Sequence, residues 1–495
     1  MILKIESTIK PYYVQTLAMI FFPGAKFPEG EVETDETVVA HVSSNERDGG
    51  IFAKVELRCG SESAEADAFV ADSGNIEKTT KLAVGAAFMK AGEKFTGFTP
   101  PWGTLTGIRP TKIALTRLDE GWKEEDIKDF MRETYLTSEE KIDLSVEIAA
   151  REKELLSQLD YENGYSLYVG IPFCPTKCAY CSFVSYTSPG LLRLIPDYLR
   201  ALAVDIEGIF RVIRELDMRV TSVYIGGGTP TVLDAEGLRF LLDQITPHVS
   251  DLAEFTLEAG RPDTITAEKL KIAAEHGVDR VSVNTQTLND DILRKIGRAH
   301  SSDMFFDAYK AARESGIKNI NVDLIAGLPY DTTESFVRTM DGVIDLDPEN
   351  ITVHTFSVKR ASEFKNEGRF DRQGYVAAES VDYSQIALTR AGYLPYYMYR
   401  QKNTVGNLEN VGYAKPGCEG LYNIYMMEEI HSIFAAGASS VTKLVSLPDA
   451  EGSVRIERLF QPKYPYEYLA MHEGEAAAEK LSKLRKSALE FFRGE

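Results

Sequence analysis

The sequence has few of the residues that mark secreted, membrane-spanning or nucleic-acid-binding proteins. Its 495 residues include five cysteines, an odd and small number that argues against a disulfide framework. No apolar run reaches the roughly 18 residues that a membrane-spanning helix needs. Positive charge is also scarce, since 55 Lys and Arg stand against 75 Asp and Glu, a net charge of −20. Nucleic-acid binders normally show a basic surface, so this class is not expected, and a polyanionic substrate would need a local basic pocket.

The beginning of the chain carries no recognisable targeting signal. MILKIESTIKPYY lacks the basic region, apolar stretch and small-residue cleavage site of a signal peptide. We therefore expect a cytoplasmic protein without a transmembrane segment.

The length of the chain predicts more than one domain. Residues 1–160 are predicted to form an α+β domain of unknown role. Its early β-branched and aromatic runs predict strands, and its later part has helical periodicity. The runs predicted as strands are VQTLAMIFF, ETVVAHVSS and GGIFAKVELRC.

Residues 161–365 alternate short apolar strands with amphipathic helices. Six such strands occur: SLYVGI, SVYIGG, EFTLEA, DRVSVNT, NINVDLIAG and NITVHTFS. Consecutive β–α units predict an α/β domain with a parallel sheet, and six are too few for a closed eight-stranded barrel. We predict a partial, open (β/α)6 barrel of the TIM type. Residues 366–495 are predicted to form a mostly helical C-terminal domain that closes the barrel mouth.

Three of the five cysteines lie close together, directly after the first predicted barrel strand. Cys174, Cys178 and Cys181 have the spacing C-x3-C-x2-C. Thiolates are the usual ligands of iron–sulfur clusters, and three of them leave one iron of a [4Fe–4S] cubane open. The amino and carboxylate groups of an amino acid can chelate that iron. Zinc is the alternative, but it prefers four protein ligands, and no second C-x2-C or H-x3–5-H motif lies nearby.

Other polar and glycine residues follow the predicted strands. The loop from Gly226 to Pro230 reads GGGTP, and its bare backbone allows close approach to a ligand. It lacks the lysine of a P-loop and the G-x-G-x-x-G pattern of a dinucleotide site. Because barrel active sites lie at the carboxyl ends of the strands, later polar residues are expected to form a ring there. These residues are Glu258, Gln286, Asp323 and Ser357.

The cysteine loop followed by β–α units resembles the radical S-adenosylmethionine superfamily. The resemblance implies a [4Fe–4S] cluster and one or two molecules of S-adenosylmethionine as cofactors. It also implies that a donor such as flavodoxin or ferredoxin reduces the cluster, and that a deoxyadenosyl radical takes hydrogen from the substrate. No side chain of the protein is then assigned as catalytic, because the cofactor supplies the radical.

A longer series of motifs resembles the oxygen-independent coproporphyrinogen III dehydrogenase family. In order, these are YVGIPFCPTKCAYCSF, GGGTPT, TLEAGRPD, VNTQTLND, KIGRAH, NVDLIAGLP and VHTFSV. GTLTGIRPTK, YRQKN and GNLENVGY further resemble the HemZ branch. The resemblance implies haem biosynthesis by oxidative decarboxylation of two propionates of coproporphyrinogen III to vinyl groups, giving protoporphyrinogen IX.

The same resemblance implies cofactor contacts at matching positions. Tyr168 would lie near the cluster, and Gly227, Glu258 and Val441 would bind the first S-adenosylmethionine. Seven positions would line a second S-adenosylmethionine or a neighbouring site: Tyr180, Gly228, Thr229, Gln286, Arg298, Asp323 and Ser357.

Two positions depart from the family pattern and leave other functions open. The dehydrogenase proper has His where this chain has Gly170, and Cys where it has Phe183. One alternative is a haem-binding chaperone, as in the related HemW branch, and another is a radical methyltransferase that opens haem anaerobically. Candidate haem ligands are His354, His431 and Cys418, and the preferred partners for substrate carboxylates are Arg400 and Lys402.

Overall fold

A computed structural model describes residues 1–28, 30, 32–107, 109–159, 163–181, 185–357, 374–401, 404–449 and 453–494. The internal contacts divide the chain into two units. Unit 1 comprises Met1–Arg151, Asp371–Ala378 and Tyr399–Glu409, and unit 2 comprises Glu152–Phe370, Glu379–Met398 and Asn410–Glu495. The three-domain boundaries inferred from the sequence stay a prediction.

Unit 1 contains a four-stranded sheet with the strands in chain order. These are β1 (Ile2–Glu6), β2 (Val39–Arg47), β3 (Gly50–Cys59) and β4 (Glu62–Ala71). β1 and β2 pair in parallel, whereas β2–β3 and β3–β4 are antiparallel. The helices are α1 (Pro11–Phe21), α2 (Ile76–Thr96), α3 (Thr111–Asp119), α4 (Glu124–Tyr135) and α5 (Glu139–Ser157), the last of which runs on into unit 2.

One secondary-structure prediction for this region is wrong. VQTLAMIFF, predicted as a strand, lies in helix α1. Its buried residues are Val14, Leu17, Ala18, Ile20 and Phe21, and all but Ile20 have the spacing of one helical face. Pro11 occupies a position at the helix start that tolerates proline. A short apolar run is ambiguous between a strand and a buried helix, which explains the error.

The barrel part of unit 2 consists of six parallel strands that neighbour one another in chain order. They are β5 (Gly164–Ile171), β6 (Arg219–Gly227), β7 (Glu254–Glu258), β8 (Arg280–Ser282), β9 (Asn319–Ala326) and β10 (Asn350–Thr355). Between them lie α6 (Pro189–Leu192), α7 (Ile195–Glu215), α8 (Ala235–Asp243), α9 (Ala267–Glu275), α10 (Asp290–Lys295), α11 (Ser302–Glu314) and α12 (Thr333–Ile344). The partial (β/α)6 architecture is therefore confirmed.

The rest of the chain adds helices and further strands. They are α13 (Tyr375–Arg390), β11 (Leu394–Arg400), β12 (Glu409–Ala414), α14 (Leu421–Glu428), β13 (Ser432–Ala436), β14 (Val441–Val445), β15 (Ile456–Phe460), α15 (Pro465–Ala470) and α16 (Glu475–Arg493). The helices agree with the prediction, but the strands were not identified. β13 pairs in parallel with β5, and β12 pairs antiparallel with β10, so the sheet grows at both edges. Its order is β11-β12-β10-β9-β8-β7-β6-β5-β13-β14-β15.

The barrel strands have one fully buried apolar face. Leu167, Val169 and Ile171 of β5 and Val223 and Ile225 of β6 lie at alternate positions on this face and have no exposed surface. The intervening positions carry polar residues that are also buried, among them Ser166 and Ser222, which are paired across β5 and β6. Among the helices in the described ranges, none is long and apolar enough to cross a membrane.

A buried ion pair lies within unit 1. Lys141 Nζ is 2.7 Å from Glu409 Oε1, with side-chain exposures of only 2% and 0%. Trp102 Nε1 donates a hydrogen bond to the other carboxylate oxygen at 2.7 Å. Burial alone would raise the pKa of Glu409, but Lys141 and Trp102 outweigh it, and the pKa lies below its usual value.

Replacing Lys141 tests the contribution of this pair to stability. Lys141→Met leaves the Glu409 carboxylate buried without its counter-charge, so the free energy of unfolding should fall by about 3–5 kcal/mol. Urea unfolding monitored by Trp fluorescence measures this change. The control Lys81→Met removes an exposed pair with Glu77 and should cost less than about 1 kcal/mol. Equal losses in the two variants would contradict a special role for the buried pair.

Candidate functional site

The cysteine loop begins where strand β5 ends. Cys174 and Cys178 are buried and Cys181 is partly exposed. The Cys174 N–H donates to the Tyr186 carbonyl at 3.1 Å, and the Cys181 N–H donates to the Cys178 carbonyl at 3.1 Å. The Ala179 N–H donates to the carbonyl of Ile296, just after helix α10, at 3.0 Å. These backbone hydrogen bonds hold the loop to the segment around Tyr186 that follows it, and to the end of helix α10 at Ile296.

The glycine loop after β6 packs its backbone against the cysteine loop. A Cβ atom on Gly228 would lie 2.6 Å from the Phe173 carbonyl oxygen and 3.0 Å from Cys174 Sγ. Gly227 has a φ of +111°, a conformation that side chains disfavour. The Thr229 hydroxyl lies 3.3 Å from Cys174 Sγ, and its N–H donates to the Phe173 carbonyl at 2.8 Å. The glycines are therefore needed because two backbones approach each other closely beside a cysteine sulfur.

The donor set of this loop fits an iron–sulfur cluster better than a single metal ion. Burial raises the pKa of the Cys174 thiol, and hydrogen bonds with Thr229 and Ser185 act in the opposite direction. In the described ranges, no three His, Cys, Asp or Glu side chains converge where one metal ion could sit. A cubane binds each thiolate through a different iron, so its ligands need not converge on one point. Three thiolates beside a cradle of glycines meet that requirement.

Tyr180 and Arg298, both predicted site residues, meet beside the cysteine loop. Arg298 Nε donates to the Tyr180 hydroxyl at 3.1 Å. Its Nη1 donates to the carbonyls of Gly260 at 2.9 Å and Asn284 at 3.2 Å. The buried guanidinium thus links the segments that follow β7 and β8 to Tyr180, which lies between Cys178 and Cys181 in the sequence.

Glu258, the last residue of β7, and Asp323, within β9, form an acidic pair. Burial, then repulsion from Asp323, raises the pKa of Glu258 to about 8, although a hydrogen bond with the Gly227 backbone lowers it. Asn284 Nδ2 donates to Asp323 Oδ2 at 2.7 Å, and the Asp323 N–H donates to Asn284 Oδ1 at 3.1 Å. The sequence interpretation missed Asn284, although it lies in the polar VNTQ segment after a strand.

Gln286 joins the same strand ends through its backbone. It has a φ of +70°, its N–H donates to the Asp323 carbonyl at 3.0 Å, and its carbonyl accepts from Ile325 N–H at 3.0 Å. Ser357 is buried two residues after β10. Both predicted positions therefore lie at the expected edge of the sheet.

A stack of three tyrosines adjoins Glu258 inside the barrel. The ring centroids of Tyr224 and Tyr422 are 4.5 Å apart, and that of Tyr168 lies 6.2 Å from the first and 6.4 Å from the second. A Cβ atom on Gly226 would be 2.7 Å from Glu258 Oε2 and from the Tyr224 ring, so carboxylate and aromatic ring are close. Tyr168 was predicted, but Tyr224 and Tyr422 were not. Nothing in the local sequence distinguishes them from core aromatics.

Gly170 stands where the dehydrogenase family has a histidine. A Cβ atom there would lie 3.3 Å from the Tyr168 ring and 3.6 Å from the Ala436 carbonyl oxygen. Even a single Cβ atom at this position would require the Tyr168 ring to shift by a few tenths of an ångström. Phe183, the other departure, lies outside the described residues.

The remaining predicted positions have the following contacts. Val441 begins β14 and pairs with Phe460 of β15. Arg400 is buried in unit 1, where it donates to the carbonyls of Leu105 and Asn407 and stacks on Trp102, 5.3 Å from the ring centroid. Its guanidinium is thus engaged by unit 1. Lys402 lies outside the described residues.

The three candidate haem ligands occupy different environments. His354 Nε2 is 3.6 Å from Asp323 Oδ2, so this residue adjoins the site. His431 is buried against Ser166, 2.7 Å away near the amino end of β5, and burial lowers its pKa to about 3. Cys418 lies after β12, and its carbonyl accepts from Arg280 at 2.9 Å. The structure does not bring the three together.

Comparison with known proteins identifies the class defined by this fold and site. Residues 168–343 match the family model of the radical SAM superfamily. Membership implies a [4Fe–4S] cluster and S-adenosylmethionine as cofactors. Escherichia coli coproporphyrinogen III oxidase (HemN), described as a radical SAM enzyme, is similar with 19% identity and a TM-score of 0.47, covering 68% of this chain and 83% of that one.

Sequence relatives narrow the assignment within the superfamily. The chain is 36% identical over 464 residues to the oxygen-independent coproporphyrinogen-III oxidase-like protein HemZ of Bacillus subtilis, covering 92% of each. It is 34% identical over 278 residues to the heme chaperone HemW of the same organism, covering 55% of this chain and 70% of the relative. The chain belongs to the HemZ-like, oxygen-independent coproporphyrinogen-III oxidase-like family of radical SAM proteins.

Alanine variants test whether the three clustered cysteines hold the cluster. Cys174→Ala, Cys178→Ala and Cys181→Ala should each lose most bound iron and acid-labile sulfide after anaerobic reconstitution, because each removes a thiolate ligand. Cys59→Ala and Cys418→Ala, which alter cysteines outside the loop, should retain both. Iron and sulfide assays with EPR of the reduced protein measure this. Full cluster content in any of the first three variants would contradict the ligand assignment.

The raised pKa of Glu258 predicts a pH-dependent effect on stability. A carboxyl whose pKa rises on folding, here to about 8, favours folding most below its unfolded pKa, and this contribution is lost as pH rises through 8. Glu258→Gln, which is always neutral, should match the wild type near pH 5 and be more stable at pH 9. One pKa unit corresponds to about 1.4 kcal/mol, so the gain should not exceed about 5 kcal/mol.

Thermal unfolding of cluster-free protein at several pH values measures this gain. The exposed residue Glu124 supplies a control, and Glu124→Gln should give no such pH-dependent difference. A constant difference between Glu258→Gln and the wild type from pH 5 to 9 would contradict the shifted pKa.

Proposed function

We propose that this protein is a radical SAM oxidoreductase that converts propionate side chains of coproporphyrinogen III into vinyl groups, giving protoporphyrinogen IX. The observation that carries the proposal is its 36% identity, over 92% of both chains, to a coproporphyrinogen-III oxidase-like HemZ protein. The similarity thus extends well beyond the radical SAM region, residues 168–343, which is common to many activities.

The residues around the cysteine loop are suited to S-adenosylmethionine. In this proposal Cys174, Cys178 and Cys181 hold the cluster, and the glycine loop allows the methionine part of the cofactor to approach its open iron. The carboxylates of Glu258 and Asp323 can accept hydrogen bonds from an ammonium group or ribose hydroxyls, and the buried charge of Arg298 suits a carboxylate. A cationic ligand beside Glu258 would lower its pKa and favour the ionised form.

The substrate would react next to this cofactor site. When bound, the reduced cluster and S-adenosylmethionine would supply removal of a hydrogen atom from the ring-attached carbon of the propionate, next to the carbon that bears the carboxylate. Loss of CO2 and one electron to an acceptor then leaves a vinyl group. The protein's part is to orient the propionate and exclude water, and the tyrosine stack of Tyr168, Tyr224 and Tyr422 provides a largely apolar wall for this purpose.

A haem chaperone is the second candidate, and two observations favour it. The chain is 34% identical over 278 residues to a heme chaperone HemW. In addition, Gly170 stands where the dehydrogenase proper has a histidine. His354, 27% exposed beside Asp323, would be the candidate iron ligand at the site.

Product analysis separates these functions. Reconstituted protein incubated anaerobically with coproporphyrinogen III, S-adenosylmethionine, a strong reductant and an electron acceptor should form protoporphyrinogen IX and consume S-adenosylmethionine. Mass spectrometry measures both, and Cys178→Ala should form no product. Absence of turnover together with tight, stoichiometric haem binding that His354→Ala weakens would favour the chaperone. Loss of haem with methyl transfer would instead favour the methyltransferase.

A further inference from the structure

One of the cysteine sulfurs has a charged hydrogen-bond donor. Arg261 follows strand β7, and its Nη1 lies 3.5 Å from Cys178 Sγ, within hydrogen-bonding distance for sulfur. The same nitrogen donates to the Thr176 carbonyl at 3.2 Å, inside the cysteine loop. The arginine side chain is only 4% exposed. A positive charge is therefore held against one predicted cluster ligand, out of contact with bulk water.

Asp263 fixes the orientation of this guanidinium. Arg261 Nε donates to Asp263 Oδ1 and Arg261 Nη2 donates to Oδ2, each at 3.1 Å. This two-point contact leaves Nη1 directed at the cysteine loop, a geometry that the planar guanidinium supports and a lysine could not. The Thr264 hydroxyl donates to the Arg261 carbonyl at 2.8 Å, which ties the backbone of the same turn.

Arg298 and His300, which also lie near the cysteine loop, make different contacts. Arg298 directs its described hydrogen bonds to Tyr180 and to the Gly260 and Asn284 carbonyls. His300 is buried nearby, and burial together with the charge of Arg298 lowers its pKa to about 3, so it is neutral at ordinary pH. Arg298 interacts with Cys178 through its charge, whereas Arg261 also places a hydrogen-bond donor on the Cys178 sulfur.

Hydrogen bonds to the sulfurs and local charge are two of the factors that set the potential of an iron–sulfur cluster. Reduction adds one electron to the cluster, so a nearby positive N–H donor stabilises the reduced form more than the oxidised form. A carboxylate has the opposite effect. Both effects are larger in a buried site than in water.

We propose that Arg261 and Asp263 set the reduction potential of the cluster: Arg261 raises it through its contact with Cys178, and Asp263 limits the rise while holding Arg261 in place. This inference rests on the proposed cluster site, but it does not depend on the substrate. A less negative potential makes the cluster easier for the electron donor to reduce, whereas a more negative potential makes the reduced cluster better able to cleave the sulfonium. The two residues would set the potential between these requirements.

Two substitutions that change the local charge in opposite directions test the proposal. In Arg261→Gln the midpoint potential should become more negative, with the equilibrium constant for one-electron reduction falling at least tenfold, about 59 mV. In Asp263→Asn, which removes a negative charge, the potential should become less negative. Arg261→Lys keeps the charge and should shift less than Arg261→Gln. Mediated potentiometric titration of the reconstituted full-length protein, followed by EPR, measures these values.

Arg313 offers a matched control. It also binds a carboxylate at two points, with Nη1 at 2.8 and 2.7 Å from the two oxygens of Glu349, but none of its described hydrogen bonds reaches a cysteine. Arg313→Gln should keep the wild-type potential. A purely structural role of Arg261 and Asp263 would instead leave the potential unchanged or shift it in the same direction in both variants.

The outcomes separate the two proposals. A wild-type protein that takes up no cluster would overturn the cluster site and this inference with it. A loaded protein in which Arg261→Gln and Asp263→Asn leave the potential unchanged, or move it in the same direction, would overturn the role of Arg261 alone. If Arg261→Gln fails to load, Asp263→Asn decides, and the absence of a positive shift in that variant would overturn the inference.

Discussion

Strands β5 and β6 pair in parallel with Ile171 opposite Gly227, so the chain leaves both strands at the same point of the sheet. The cysteine loop continues from the first strand and the glycine loop from the second. Their backbones then meet at Phe173 and Gly228, where even one added methyl group would lie 2.6 Å from a carbonyl oxygen. The positions of the thiolates, of Thr229 and of the Gly227 contact with Glu258 all follow from this one approach. Changes at the glycine loop therefore act on the cysteines as well.

The sequence allowed the barrel and the cysteine loop to be predicted because both are local patterns. A strand followed by a helix is visible within about 30 residues, and the three cysteines lie within eight. The edge strands are different. β13 lies beside β5 although Ser432 and Tyr165 are far apart in the chain, and no local pattern identifies such a partner. Tyr422 reaches the site from a helix of the same distant region, so it too could not be found from spacing.

Local sequence does not show which partners a basic residue has. Arg400 donates to backbone carbonyls of unit 1 and stacks on Trp102, and its role toward substrate carboxylates stays a prediction. Arg261 and Arg298, which follow β7 and α10, are buried cations near the cysteine loop. In a chain with a net charge of −20, two buried guanidinium groups lie at this edge of the barrel, and one of them is paired with Asp263. Guanidinium groups suit a site that must hold electron-rich sulfur and the carboxylate of an amino acid.

Unit 1 is assembled from three separate stretches of the chain, the last ending at Glu409. The acceptor for the Trp102 indole is therefore synthesised 307 residues after the tryptophan itself. An N-terminal fragment ending before the barrel would contain Lys141 without the carboxylate of Glu409. A barrel fragment would retain Glu409 and Arg400 without Lys141 and Trp102. During synthesis on the ribosome, unit 1 can reach its final packing only after the whole radical SAM region has emerged. Fusion or truncation at the apparent junction near residue 151 would consequently separate parts of one core.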